Sequence, residues 1–129
     1  NEQARRLLFL LFPTDVAESF YRQFGDIVAT ARAQLSAELL NRQAVAMDEW
    51  HRNGLTSQLR HLRVPVLIVT GTEDIVIPAS NALKLVNTIP GAWLAQFPHA
   101  GHAFIAQYPR ALADLINSFL ALSTAHNAE

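Results

Sequence analysis

An α/β fold with an all-helical N-terminal half is predicted from three observations. First, Val66–Thr70 is a short, wholly apolar, β-branched run that follows Pro65 and stops at Gly71. Such a run is expected of a parallel strand buried on both faces. Second, a helix pattern separates it from another short strand at Trp93–Phe97, and a last helix follows. The order strand, helix, strand, helix implies a right-handed crossover and parallel pairing. Third, residues 1–62 contain helix patterns and no strand candidate. Two strands make a poor sheet, and at least three with cover are usually needed. The strand at 66–70 is therefore expected to have neighbours that this chain does not contain.

Each element follows from local signals. Gln3–Phe12 carries an apolar helix end that stops before Pro13. Thr14 is the expected cap of the next helix, with Asp15 and Glu18 in its first turn. Val16, Phe20, Phe24 and Ile27 recur at helical spacing, and Gly25 is a candidate break. Ser36 heads a third helix that carries Ala44, Met47 and Trp50, and Asn53-Gly54 stops it. After the first strand, residues 72–78 form a loop. Ala79–Ile89 is a helix with Leu83, Leu85 and Val86 as its apolar positions, and Pro90-Gly91 is a turn. Residues 98–102 form a second loop. Pro109 opens the last helix, which runs to about Leu122.

Composition narrows the function. The 129 residues suffice for one domain with a core. Ten Lys plus Arg against 11 Asp plus Glu leave a net charge of −1, without a basic stripe, so neither nucleic acid nor an anionic membrane is an expected partner. No cysteine is present, which excludes disulfides, thiolate zinc sites and a cysteine nucleophile within the chain. The apolar run Leu7–Phe12 is too short to span a bilayer, which takes about 20 residues, and no cleavage site follows it. A cytoplasmic location is expected. The chain begins with Asn1 rather than Met, which suggests a fragment, a processed product or a chosen start.

Several short motifs occur in a fixed order in the second half. They are Val64-Pro65-Val66-Leu67, Gly71-Thr72-Glu73-Asp74, Pro78, Ile89-Pro90-Gly91-Ala92, Ala100-Gly101-His102 and Tyr108-Pro109. Their joint spacing resembles the C-terminal end of an α/β-hydrolase, where such motifs mark the last two strands of the sheet. Residues 60–129 would then be the β-α-β-α portion of an incomplete core. Residues 1–59 are similar, more loosely, to the helical lid inserted before those strands. Members of the family carry a G-x-S-x-G turn bearing the nucleophile. That motif and the oxyanion-hole loop are both missing from this sequence.

The resemblance implies two site residues. Asp74 corresponds to the triad acid, which accepts the Nδ1–H of a histidine and stabilises its charged form. Read from the residue alone, a turn aspartate bonding its own backbone is the favoured reading. His102 corresponds to the general base, for which an imidazole titrating near 6.5 is suited; the alternative is a loop histidine with a satisfied hydrogen bond. Gly101 before it permits close backbone approach. Glu73 is expected to face solvent, and His99 lies three residues too early for the pattern. His51, His61 and His126 have no spacing that suggests a triad or a metal site. Gln107 stands where many relatives have glutamate, a change expected to alter only a local hydrogen bond or charge. Ile75, Val76, Ala103 and Phe104, with Phe9 and Phe12 from the lid, are candidates to line an apolar substrate pocket, and plain core packing is the alternative for each.

The resemblance thus implies hydrolysis of an ester or related bond in a small, mostly apolar substrate, without metal or cofactor, through a nucleophile outside this chain. The alternative is a catalytically silent half-domain. Either way the free edge of the strand at 66–70 predicts a homo-oligomer, pairing with a missing N-terminal segment, or cover from the helical half.

Overall fold

The computed structural model describes residues 1–54 and 56–126, with side chains as far as 123. The side chain of His126 and residues 127–129 of the predicted C-terminal portion therefore lie outside the described residues. The helical half begins with α1 (Glu2–Leu11), which starts one residue earlier than expected because the Asn1 side chain caps it, accepting the Gln3 N–H at 3.1 Å. Phe12 is extended, as steric crowding from the following Pro13 requires. Next comes α2 (Thr14–Ala33). Thr14 is not its cap: Pro13 occupies that position, its carbonyl accepting the Ala17 N–H at 2.8 Å, and no side chain caps the helix. Gly25 does not break it either. The Tyr21 ring lies 2.9 Å from where a Gly25 Cβ would sit, so a small residue lets the ring lie flat on the helix. A helical glycine costs about 1 kcal/mol relative to alanine, and packing of α1 on α2 offsets it. That hairpin has its own core of Leu8, Phe12 and Ala17, with Phe12 stacked on Phe20 at 4.5 Å.

Ser36 caps α3 (Ala37–Asn53) as predicted, its Oγ accepting the Leu39 N–H at 3.1 Å, and Gly54 closes the helix. Every residue of α3 is exposed, Met47 and Trp50 included. A single turn, α4 (Thr56–Leu59), leads out of it.

The second half follows the predicted order. β1 (Leu67–Gly71) begins one residue later than the sequence pattern, although the Val66 carbonyl already accepts the Trp93 N–H at 2.8 Å. Helix α5 (Ala79–Thr88) ends one residue early, because Ile89 is extended before Pro90. β2 (Trp93–Phe97) lies where predicted. The loop after it contains an unforeseen turn, α6 (Phe104–Gln107). Finally α7 (Pro109–His126) passes its expected end because no Gly or Pro follows Leu122. β1 and β2 pair in parallel, from Leu67 opposite Trp93 to Gly71 opposite Phe97. Ile68, Ala82 and Ile89 form the core beneath them.

One expectation about β1 is corrected. It is not buried on both faces: Ile68 and Thr70 are buried, whereas Leu67 and Val69 are only half-buried. The sheet has two strands among the described residues, so one edge of β1 has no strand beside it. The two strand ends approach closely at Gly71, where an added Cβ would fall on the Ala100 carbonyl. Gly71→Ala is therefore expected to destabilise the chain by about 1–3 kcal/mol in denaturant unfolding, the usual cost of overpacking. Leu83→Ala, at a side chain 48% exposed on α5, should change stability by no more than about 0.5 kcal/mol.

Candidate active site

Parallel pairing puts the carboxyl ends of β1 and β2 side by side, and the loops that leave them are stitched together. The Thr72 N–H donates to the Phe97 carbonyl at 3.0 Å, and the Glu73 N–H to the Ala100 carbonyl at 2.9 Å. Asp74 follows at once. Its Oδ1 accepts two backbone N–H groups, from Val76 at 2.9 Å and Ile77 at 2.8 Å. Its Oδ2 lies 2.9 Å from Nδ1 of His102. One carboxylate thus makes both the turn bonds and the histidine contact that the sequence left as alternatives. The Asp74 side chain is 7% exposed and that of His102 is 36% exposed. An ionised carboxylate only accepts, so in the neutral ring Nδ1 carries the proton and Nε2 keeps its lone pair. Nε2 has no hydrogen-bond partner among the described residues.

The loop carrying His102 is held from three sides. Gln107 clamps its backbone: the Gly101 N–H donates to Gln107 Oε1 at 3.0 Å, and Gln107 Nε2 donates to the His99 carbonyl at 2.9 Å. Phe97 stacks on Phe104 and on Tyr108, whose hydroxyl donates to the Pro98 carbonyl at 2.9 Å. The Ala103 N–H donates to the Leu11 carbonyl at 3.0 Å, which docks the loop on the end of α1. A Cβ on Gly101 would collide with that same carbonyl. Only glycine allows this approach.

A family model described as TAP-like protein, within the α/β-hydrolases, matches residues 33–128. The chain belongs to the α/β-hydrolases. It is 31% identical over 104 residues to a 2-hydroxy-6-oxo-6-(2'-aminophenyl)hexa-2,4-dienoic acid hydrolase of Metapseudomonas resinovorans, an alignment covering 76% of this chain and 36% of that enzyme. The solved structure of a hydrolase from Pseudomonas aeruginosa superposes with a TM-score of 0.67 at 28% identity, covering 92% of this chain and 43% of the other. A thermophilic esterase from Thermogutta terrifontis shares the fold, with a TM-score of 0.68 at 23% identity over 95% of this chain and 44% of its own. The chain thus spans less than half the length of these relatives.

In this α/β-hydrolase chain a cavity of about 180 Å³ runs along β1 beside the Asp74–His102 pair. Phe104, Ile77, Pro78 and Ile68 line it together with both members of the pair. Ile75 and Val76, from the same loop, stand outside it, 67% and 46% exposed. Phe9, Phe12 and Ala103 pack in the α1–α2 core instead. Among the described residues no group of three or more His, Cys, Asp or Glu could hold a metal ion.

Four residues gain a part that the sequence did not foretell. Glu73 is not simply solvent-facing: its Oε1 lies 2.8 Å from Nδ1 of His99. His99 Nε2 lies 3.1 Å from both carboxylate oxygens of Asp15 on α2. The hydrogen bonds to Glu73 and Asp15 raise the His99 pKa, and the bond from His99 lowers that of Asp15. Gln107, expected to alter only a local hydrogen bond or charge, makes two backbone bonds where a carboxylate could make only the first. Truncating it leaves the part-buried Gly101 N–H unpaired, a loss of about 1–3 kcal/mol. Gln107→Ala should therefore lower the unfolding free energy by about that much and speed hydrogen exchange at Gly101. Unchanged exchange at Gly101 would refute the clamp.

Proposed function

We propose that this chain carries the general base and the orienting acid of a hydrolase, His102 and Asp74, and that the nucleophile comes from outside its 129 residues. The observation that carries the reading is the 2.9 Å contact between Asp74 Oδ2 and His102 Nδ1, with Asp74 Oδ1 anchored by two backbone N–H groups. That arrangement fixes one tautomer. Nε2 is then the base: it takes the nucleophile's proton as the nucleophile attacks and returns it to the leaving group. Asp74 stabilises the imidazolium formed in between and is not itself protonated.

The substrate on this reading is a small, mostly apolar ester or a molecule with a related bond, and no cofactor takes part. Phe104 and Ile77 beside the pair support the apolar part. The relatives support the reaction class, since they are hydrolases and an esterase. The cytoplasmic location expected from the sequence belongs to the same reading; among the described residues no helix is long and apolar enough to cross a membrane. The second reading, a silent half-domain that self-associates, is favoured by the edge of β1 that has no strand beside it. Completing that edge is also how a nucleophile-bearing segment would join the sheet.

A chimera separates the two. This chain replaces the matching 43% of the Pseudomonas aeruginosa hydrolase, and cooperative melting establishes that the product folds. Hydrolysis of p-nitrophenyl butyrate is expected. His102→Ala should lower kcat by about 10⁶-fold and Asp74→Asn by about 10⁴-fold. A folded chimera that is inactive, or whose activity survives His102→Ala, would contradict the assignment.

A further inference from the structure

His99 is the only non-glycine among the described residues with a positive φ, at 48°. A histidine is seldom held in that left-handed region unless its surroundings fix it there. Here every polar group of the residue is engaged. Its N–H donates to Thr72 Oγ1 at 3.1 Å, and its carbonyl accepts from Gln107 Nε2 at 2.9 Å. One ring nitrogen meets Glu73 at 2.8 Å and the other meets Asp15 at 3.1 Å. Asp15 belongs to the first turn of α2, Glu73 is the neighbour of Asp74, and Gln107 closes the His102 loop. One side chain therefore ties the helical hairpin to both loops of the candidate site.

On the functional reading given above, we propose that His99 is a positioning residue, bridging Asp15 on α2 to Glu73 beside Asp74 so that docking of the helical hairpin steadies the Asp74–His102 contact. The hydrogen-bond chemistry sets the condition for the bridge. Two ionised carboxylates only accept, so both ring nitrogens must donate, and the ring is then the cation. The charged groups that face it are Asp15 from α2 and Glu73 from the loop after β1. From the α6–α7 side the neighbouring titratable group is Tyr108, bonded to the Pro98 carbonyl.

The dependence on pH follows with a definite sign. His99 is raised above its ordinary value of 6.5, so the bridge is complete below that value and is lost as pH rises through the raised one. Asp15 is lowered from 3.8, so its share is complete above 3.8 and is lost as pH falls through the lowered value. The tie is therefore complete between pH 3.8 and 6.5 and loosens as pH rises through the raised His99 value.

Hydrogen exchange and imidazole titration of the whole chain by NMR test this without reference to catalysis. As pH rises through the His99 titration, protection at Val76 and Ile77, whose N–H groups hold Asp74, should fall about two- to fivefold beyond the intrinsic rate change. That factor is the one expected of exposed ion pairs. Asparagine tolerates the left-handed backbone, so His99→Asn removes the bridge and keeps the turn. The variant should show the weaker protection at all pH values, without the step. A His99 titration at or below its ordinary value, or the same step in His99→Asn, would overturn the proposal. An absent Asp74–His102 contact in the unmodified chain would count against the functional reading; a contact present without the step counts against His99 alone.

Discussion

The parallel hydrogen bonding of β1 to β2 positions everything else of interest in this chain. Side chains that leave neighbouring parallel strands at their carboxyl ends start only one strand spacing apart, about 5 Å. Two further constraints narrow that to a single contact. Gly71 lets β1 end against the Ala100 carbonyl, and the Thr72 and Glu73 N–H groups then lock one loop to the other. With the backbones fixed, Asp74 has both oxygens committed, one to its own turn and one to His102. The buried carboxylate is thus held by backbone donors and by a ring, which meets the requirement that a group removed from water keep its hydrogen bonds.

The helical half reaches the site through its first two helices. The α1–α2 hairpin has an apolar core of its own, separate from the core under the strands. Ala103 packs on the hairpin core and Leu59 on the core under the strands, and polar contacts complete the joint: the Leu11 carbonyl receiving Ala103, the close approach at Gly101, and the bridge from Asp15 through His99 to Glu73. Polar joints of this kind depend on geometry and charge more than on buried area. They can therefore respond to pH, and to whatever pairs with the open edge of β1, while leaving either core intact. Helix α3 takes no part in these joints, and its exposed Leu39, Leu40, Met47 and Trp50 mark it as a face that the described residues leave uncovered.

Much of this was readable in the residues. β2 was placed without error, and β1 and α5 to within a residue, because Pro65, Gly71, Pro78 and Pro90 mark the boundaries and the apolar runs between them fit only one period. Asp74 and His102 were found together from motif spacing, and they lie in contact. The misses have two causes. Gly25 and Thr14 carry single-residue propensities that near neighbours overrode, the Tyr21 ring one turn back in one case and Pro13 in the other. Asp15, Glu73 and His99 act across segments distant in sequence, Gln107 closes its own loop through backbone groups six and eight residues back, and no short-range pattern announces such contacts. A charged or amide side chain in each of two adjoining loops was the available signal, and it is a weak one.

This polypeptide by itself brings Asp74 and His102 into contact through the parallel strands. The most direct measurement is the ¹⁵N tautomer state of the His102 ring in the folded chain. In the neutral form of the ring the proton should sit on Nδ1 with Nε2 bare, and a downfield Nδ1–H resonance should appear that Asp74→Asn removes. A ring protonated mainly on Nε2, indifferent to Asp74→Asn, would contradict it.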